Sequence, residues 1–285
     1  MVVTTIFPPY DFARQVAGDC IDLSVLVTVT DSHSFSPTAA DMAKIEECDL
    51  FVYTGGDGDV WAEDFLAQID TSDKIVINMM EHCTLIESEH HHDHAHTHEH
   101  DHDPNEETYD EHVWLDPHNA ILIVEAIRDA LISIDPAYET DYRAGADDYL
   151  AQLVALDEDY HTTITSAKHH SIVVADQFPY RYLCEAYGID YISAIDGCGS
   201  ASDLTAIAYD DLISALDVNG LSVILCTEYS DRSVAQTVLR ESDREDIRIL
   251  SLHSCHTLTK SAIREGQTYL LLMRENLQIL SEALN

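Results

Sequence analysis

The feature that most restricts the fold is an interruption in a rhythm. Short β-branched runs that read as buried strands recur along the chain: Val2–Ile6, Leu50–Tyr53, Lys74–Asn78, Ser171–Ala175, Ser222–Cys226 and Ile247–Leu252. Helical patterns lie between most of them, such as Pro37–Glu47 and Ser233–Glu241. Such alternation predicts an α/β fold with mainly parallel sheets. From Asn119 to about Lys168 the alternation stops and every signal is helical. Asp116-Pro117 and Asp135-Pro136 each set a capping carboxylate before a proline at the first helical position. After the second pair, Tyr149, Leu153, Leu156 and Tyr160 follow at steps of four, three and four, which is one face of a helix. A helix over 137–167 would be about 45 Å long at about 1.5 Å per residue. Its central place, with strand–helix units on both sides, predicts a long rigid α-helix joining two α/β lobes with parallel sheets. A long core helix inside one domain is the alternative. The expected division is an N-terminal α/β lobe over 1–118, a helical segment over 119–168 that contains the connector, and a C-terminal α/β lobe over 169–285.

At 285 residues the chain is long enough for two domains or one large one, and with 46% hydrophobic residues it can build real cores. The charge narrows the partners. Fourteen Lys and Arg stand against 53 Asp and Glu, a formal charge of −39 with histidine neutral. A field this negative repels phosphate backbones and argues against both nucleic acid and anionic lipid, which leaves cations as the natural guests. Most of the acid excess is read as solubility. Seven cysteines form no C-x-x-C pair, which excludes a zinc ribbon or a thioredoxin-type motif. No apolar run approaches the roughly 20 residues that cross a bilayer. The chain opens MVVTTIFPPYDF, directly on a strand-like run, so a cytosolic protein and an exported one whose signal was trimmed are both open.

The second anomaly spans 89–103. Eight of the 17 histidines fall here: His90, His91, His92, His94, His96, His98, His100 and His102. One alanine is the segment's only apolar residue, so it is expected to be a mobile loop. Neutral imidazoles suit zinc, copper, nickel and iron, and interleaved Asp93, Glu99, Asp101 and Asp103 add oxygen donors. The loop is read as loose metal capture, with the metal unspecified. The stretch from His98 to His102 matches H-E-x-x-H literally. That motif needs a rigid helix to put two histidines on one face, and a polar histidine tract reproduces the string by chance.

Other candidate ligands sit where strands meet loops. His33 lies in DSHSFSPT before a helix start, and His112 lies in DEHVWLDP before a capped helix. His253 and His256 follow Ile247–Leu252, Asp176 follows Ser171–Ala175, and Glu228 follows Ser222–Cys226. In open α/β sheets, ligands collect at the carboxyl ends of strands. Together these residues offer a set of histidines with a carboxylate, drawn from both halves of the chain.

These segments resemble the zinc- and manganese-binding proteins of metal-importing ABC transporters, the ZnuA-like cluster with two lobes and a long linking helix. IFPPYDFARQVAGD is similar to that family's first strand and helix. DSHSFSPTAADMAKIEECDLFVYTGGDGDVW is similar to its first-ligand segment, HVWLDPHNA to its second, and YLCEAYGID to the helix leading out of its third. The resemblance spans nearly the whole chain and includes the histidine-rich loop. It implies His33 and His112 as the first two ligands and His253 as the fourth. The third position falls on Gln177, a weak zinc ligand, so the neighbouring Asp176 or a water is expected there, with Glu228 in reserve. Three imidazoles and at most one carboxylate favour Zn²⁺ over Mn²⁺. Cys198 and Cys255 both lie in loops of the second lobe, where a disulfide, metal-binding thiolates and a free pair are all open.

The resemblance implies a monomeric extracytoplasmic receptor, periplasmic or a cell-surface lipoprotein, that passes its ion to a membrane permease and is not an enzyme. Two other functions compete. A zinc-dependent hydrolase would use Glu228 or Asp176 as its base, and a metal buffer or adhesin would need no transport coupling.

Overall fold

The computed structural model describes residues 1–28, 35–87, 109–195, 197 and 206–285. The first half runs β1 (Val2–Thr4), α1 (Phe7–Ala17), β2 (Leu23–Val25), α2 (Ala39–Glu47), β3 (Leu50–Tyr53), α3 (Val60–Leu66) and β4 (Ile75–Asn78). Among the described residues two helices follow, α4 (Pro117–Ile134) and α5 (Glu139–Thr165). The rest runs β5 (Ser171–Val174), α6 (Arg181–Tyr187), β6 (Asp190–Ser193), α7 (Ala206–Asn219), β7 (Val223–Thr227), α8 (Ser233–Glu241), β8 (Arg248–Leu252), α9 (Lys260–Arg264) and α10 (Tyr269–Ala283).

The strands form two sheets, in the orders β2-β1-β3-β4 and β6-β5-β7-β8. Every pairing within them is parallel. Parallel sheets are covered on both faces, so their inner strands read as unbroken apolar runs. VVT of β1, LFVY of β3 and VILCT of β7 are such runs, and they are buried almost throughout. The six runs read from the sequence are six of the eight strands among the described residues. The other two, LSV of β2 and DYIS of β6, are partly exposed edge strands with too few apolar residues to stand out.

The strand-free middle forms as its sequence dictates. Asp116 caps α4 by accepting the His118 N–H at 2.8 Å, and Asp135 accepts the Ala137 N–H at 3.3 Å. The 27 residues of α5 make a helix about 40 Å long at about 1.5 Å per residue. Tyr149, Leu153, Leu156 and Tyr160 form its buried face. Near its start, α5 crosses α1 so closely that a Cβ on Gly145 would lie 2.4 Å from the Val16 carbonyl oxygen. Near its end, the Tyr160 hydroxyl donates to the Met273 carbonyl of α10 at 2.7 Å. One helix is thus fastened to an N-terminal and a C-terminal element.

Packing follows the two-residue period of strands. Ile172, Val174, Val223 and Leu225 enter a large core that also contains the first sheet and the inner faces of α1, α4, α5 and α10. Their neighbours Val173, Ala175, Ile224 and Cys226 face the other way, onto Leu212 and Leu216 of α7 and Val234, Ala235 and Val238 of α8. The two lobes therefore share an apolar core. Buried polar links reinforce it: Tyr182 donates to the Asp110 carbonyl at 2.9 Å and Tyr269 to the Trp114 carbonyl at 2.6 Å. No helix among the described residues is long and apolar enough to cross a membrane.

Candidate metal centre

His112 stands just before a short helical turn, Val113–Leu115, that leads into α4. The ring is buried, and its Nδ1 lies 2.9 Å from Asp110 Oδ1, which also accepts the His112 backbone N–H at 2.9 Å. Burial alone would raise the Asp110 pKa, but the neighbouring His112 and Arg181 hold it below the usual carboxylate value. A charged Asp110 fixes the proton on His112 Nδ1 and leaves the lone pair on Nε2. This carboxylate-backed tautomer is the one a metal-binding histidine needs.

His253 and His256 follow β8, and the loop that carries them sends them to different tasks. Cys255, at φ 58°, reverses the chain between them. His253 Nδ1 accepts the Cys255 N–H at 2.8 Å, so the neutral ring carries its proton on Nε2. Because Nδ1 is an acceptor there, the 3.3 Å approach of Glu228 Oε1 is a close contact and not a donated bond. Burial depresses the His253 pKa, against the opposing pull of Glu228 and Glu275, which keeps the ring neutral. The backbone of His253 is held from both sides by Asn276, at 2.7 and 2.8 Å. His256 instead meets His112 across the lobe interface, with ring centroids 5.8 Å apart, and Trp114 lies against both rings. The Phe7 N–H donates to the His256 carbonyl at 3.1 Å, and Trp114 Nε1 donates to the Ser254 carbonyl at 2.9 Å. The first lobe thereby fixes the loop of the second.

The carboxylates named from the sequence are already engaged. Asp176 accepts the Gln177 N–H at 2.9 Å on one oxygen, and the Thr227 N–H and hydroxyl at 3.1 and 2.8 Å on the other. Glu228 accepts the Ser254 N–H at 3.0 Å and the Ser254 hydroxyl at 2.7 Å. Both brace loops at strand ends. Gln177 is partly buried beside Asp176. Cys255 is a buried free thiol whose pKa burial pushes far above its usual value, which makes it a poor source of thiolate. His33, Cys198 and the loop histidines, His90 to His102, lie outside the described residues. Among the described residues, no three His, Cys, Asp or Glu side chains converge closely enough to hold a metal ion.

A small cleft opens beside His256, walled by Thr54, Asp59, Trp61 and Glu111 of the first lobe. Sequence reasoning passed over Asp110, Glu111 and Asp59. An acid two residues before a histidine, as in Asp110-Glu111-His112, was the signal available for the first.

The model of the ZnuA family, described as zinc-uptake complex component A, periplasmic, matches residues 2–283. The zinc-binding protein AdcA of Streptococcus pyogenes is 30% identical over 288 residues, covering 98% of this chain and 55% of AdcA, so the chain spans about half of that relative. The high-affinity zinc uptake system protein ZnuA of Bacillus subtilis is 28% identical over 284 residues, covering 99% of this chain and 87% of that protein. The crystal structure of the Zn(II)-bound ZnuA-like domain of Streptococcus pneumoniae AdcA superposes with a TM-score of 0.79 at 27% identity, covering 99% of this chain and 98% of the other. Two parallel sheets tied by one long helix, and a family match over residues 2–283, establish that the chain belongs to the ZnuA family.

Proposed function

We propose that this chain captures Zn²⁺ outside the cytoplasm and delivers it to an ABC importer in the membrane. The observation that carries the reading is the meeting of His112 and His256 from opposite lobes, 5.8 Å between ring centroids, with Asp110 holding His112 in the metal-binding tautomer. Imidazole donors favour zinc over manganese. The proposed ligands are His33, His112 and His256. His256 takes the place that the sequence suggested for His253, and His253 becomes a positioning residue that shapes the turn at Cys255. The division into lobes over 1–118 and 169–285, joined through 119–168, then puts donors on both sides of the interface. The histidines from His90 to His102 act as a reservoir that raises zinc concentration beside the cleft. The receptor works as a monomer and catalyses nothing. Asp176 and Glu228, the two acids available as hydrolytic bases, are both spent on loop hydrogen bonds, which supports that reading.

Zinc titration in competition with a chromogenic chelator tests the assignment. His112→Ala and His256→Ala are expected to lose the tightest site, while His253→Ala keeps it with weakened affinity. Deleting residues 89–103 is expected to lower stoichiometry and leave the tight site in place. An unchanged tight site in His256→Ala overturns the ligand set.

A further inference from the structure

The turn between His253 and His256 is held in a conformation that its central residue disfavours. Cys255 lies at φ 58°, in the left-handed region where a Cβ crowds the backbone and glycine is the usual occupant. A residue with a side chain persists there when its surroundings compel it, and such residues gather at functional sites. Donors from the first lobe take the carbonyls on both sides of the turn. Trp114 Nε1 donates to the Ser254 carbonyl at 2.9 Å, and the Phe7 N–H to the His256 carbonyl at 3.1 Å. The Ser254 N–H and hydroxyl are held in turn by Glu228, at 3.0 and 2.7 Å.

Of these two first-lobe donors, Trp114 reaches the turn with its side chain, and that side chain lies against both proposed ligands. Its ring centroid is 5.3 Å from that of His112 and 5.0 Å from that of His256. The residue is fully buried, and its backbone is held by the second lobe. Its carbonyl accepts the Tyr269 hydroxyl at 2.6 Å, and the Tyr269 N–H donates to the Asp11 carboxylate at 2.7 Å. The Tyr269 ring also meets Phe12 edge-on, with centroids 4.9 Å apart. An indole is rigid and has few torsions, so holding its backbone and its Nε1 fixes the whole ring.

We propose that Trp114 is a positioning residue of the zinc site: by bonding the Ser254 carbonyl it imposes the left-handed turn at Cys255 and so sets how His256 faces His112. The inference rests on the zinc-binding reading above and extends it, because affinity then depends on a residue that does not touch the ion. Two ligands from different lobes have no short stretch of chain to fix their spacing. A metal site needs its donors held within about 0.5 Å of the productive geometry, which calls for a rigid bridge between the two segments. Trp114 is that bridge, since its backbone continues from His112 and its indole ends on the residue two before His256.

Trp114→Phe keeps an aromatic ring beside the histidines and removes the Nε1 donor. Its zinc affinity, measured by chelator competition, is expected to fall by about 10–100-fold, the range seen when groups supporting a metal site are removed. The visible spectrum of the Co²⁺-loaded variant should also differ from that of the parent. Val238→Ala, in the separate core beneath α8, is the control: it should lower the melting temperature and leave zinc affinity unchanged. Adding Cys255→Gly to Trp114→Phe should recover part of the lost affinity, because glycine adopts the left-handed turn without help. In the unaltered protein, the Trp114 indole proton should be protected from solvent exchange, a readout that does not depend on any variant folding. Parental affinity and Co²⁺ spectrum in Trp114→Phe, an equal loss of affinity in Val238→Ala, no recovery with Cys255→Gly, or a freely exchanging indole proton each overturns the inference. The zinc site itself still stands in those cases, provided His112→Ala abolishes tight binding. If His112→Ala binds as tightly as the parent, the zinc reading fails and takes this inference with it.

Discussion

Gly145→Ala tests whether the long helix clamps the two halves together. In an exposed helix interior, replacing glycine by alanine gains about 0.5–1 kcal/mol, because glycine loses more backbone freedom on folding. At position 145 the new Cβ would lie 2.4 Å from the Val16 carbonyl oxygen and 3.0 Å from that of Gln15. Both are backbone atoms of α1, so no side chain can swing aside. Restoring even a 3.0 Å contact requires α1 and α5 to part by about 0.6 Å. A gap of about 0.5–1 Å forfeits a quarter to a half of each contact's dispersion attraction. The contacts at stake include Phe12 against Tyr149, with ring centroids 6.1 Å apart. Overpacking of this kind costs about 1–3 kcal/mol, more than the helix propensity returns, so a net loss of about 1–2 kcal/mol is expected. For a chain of this size that lowers the melting temperature by about 2–4 °C. Thermal unfolding of the metal-free protein measures it, with the exposed change Asp148→Ala as a control expected within about 0.5 kcal/mol of the parent. Because α1 begins at Phe7, whose N–H holds the His256 carbonyl, Gly145→Ala should also weaken zinc binding. A higher melting temperature in Gly145→Ala would refute the close approach and the rigid clamp built on it.

Asp110→Asn keeps an acceptor for His112 Nδ1 but removes the charge behind it. Zinc affinity should drop about 10–100-fold, or about 1.4–2.7 kcal/mol, and an unchanged affinity by calorimetry would detach Asp110 from the site. The folded-state pKa of Asp110 lies below its usual value, so its stabilising contribution is present above about pH 4 and lost as the pH falls through the depressed value. The acid-unfolding curve of Asp110→Asn should therefore be flatter in that window. Asp59 has the opposite sign: its pKa is raised to about 6, so its contribution is full below about pH 4 and lost as the pH rises through 6. The two-unit rise corresponds to about 3 kcal/mol at neutral pH, and urea unfolding of metal-free Asp59→Asn should lose that slope between pH 4 and 7. A slope equal to the parent's would mean that Asp59 is not buried as an acid.

Local chemistry made much of this protein legible in its sequence. The inner strands show because a parallel sheet demands apolar residues on both faces, and Leu50–Tyr53 needs no tertiary information to be recognised. The helix α5 shows because Tyr149, Leu153, Leu156 and Tyr160 repeat at the helical period, and its approach is marked by Asp-Pro pairs. The residue types of the proposed metal site, histidines at strand ends, are also visible in the sequence. The edge strands β2 and β6 were not, because LSV and DYIS become strands through pairing with a neighbour and not through their own composition.

Only the tertiary structure decided which histidines meet. His253 and His256 are three residues apart after the same strand, and spacing cannot rank them. Their difference comes from the left-handed turn at Cys255, the Cys255 N–H on His253 Nδ1, and the hold of Glu228 and Trp114 on Ser254. Each of those partners except the turn itself is brought in from elsewhere in the chain or set by the loop's exact path. The same is true of Glu111, whose carboxylate accepts the N–H of Gly58, 53 residues away in the chain, at 2.9 Å. Periodicity is a property of neighbours in sequence and survives without a fold. The direction of a side chain at the end of a strand depends on distant atoms, and it exists only once the lobes have packed.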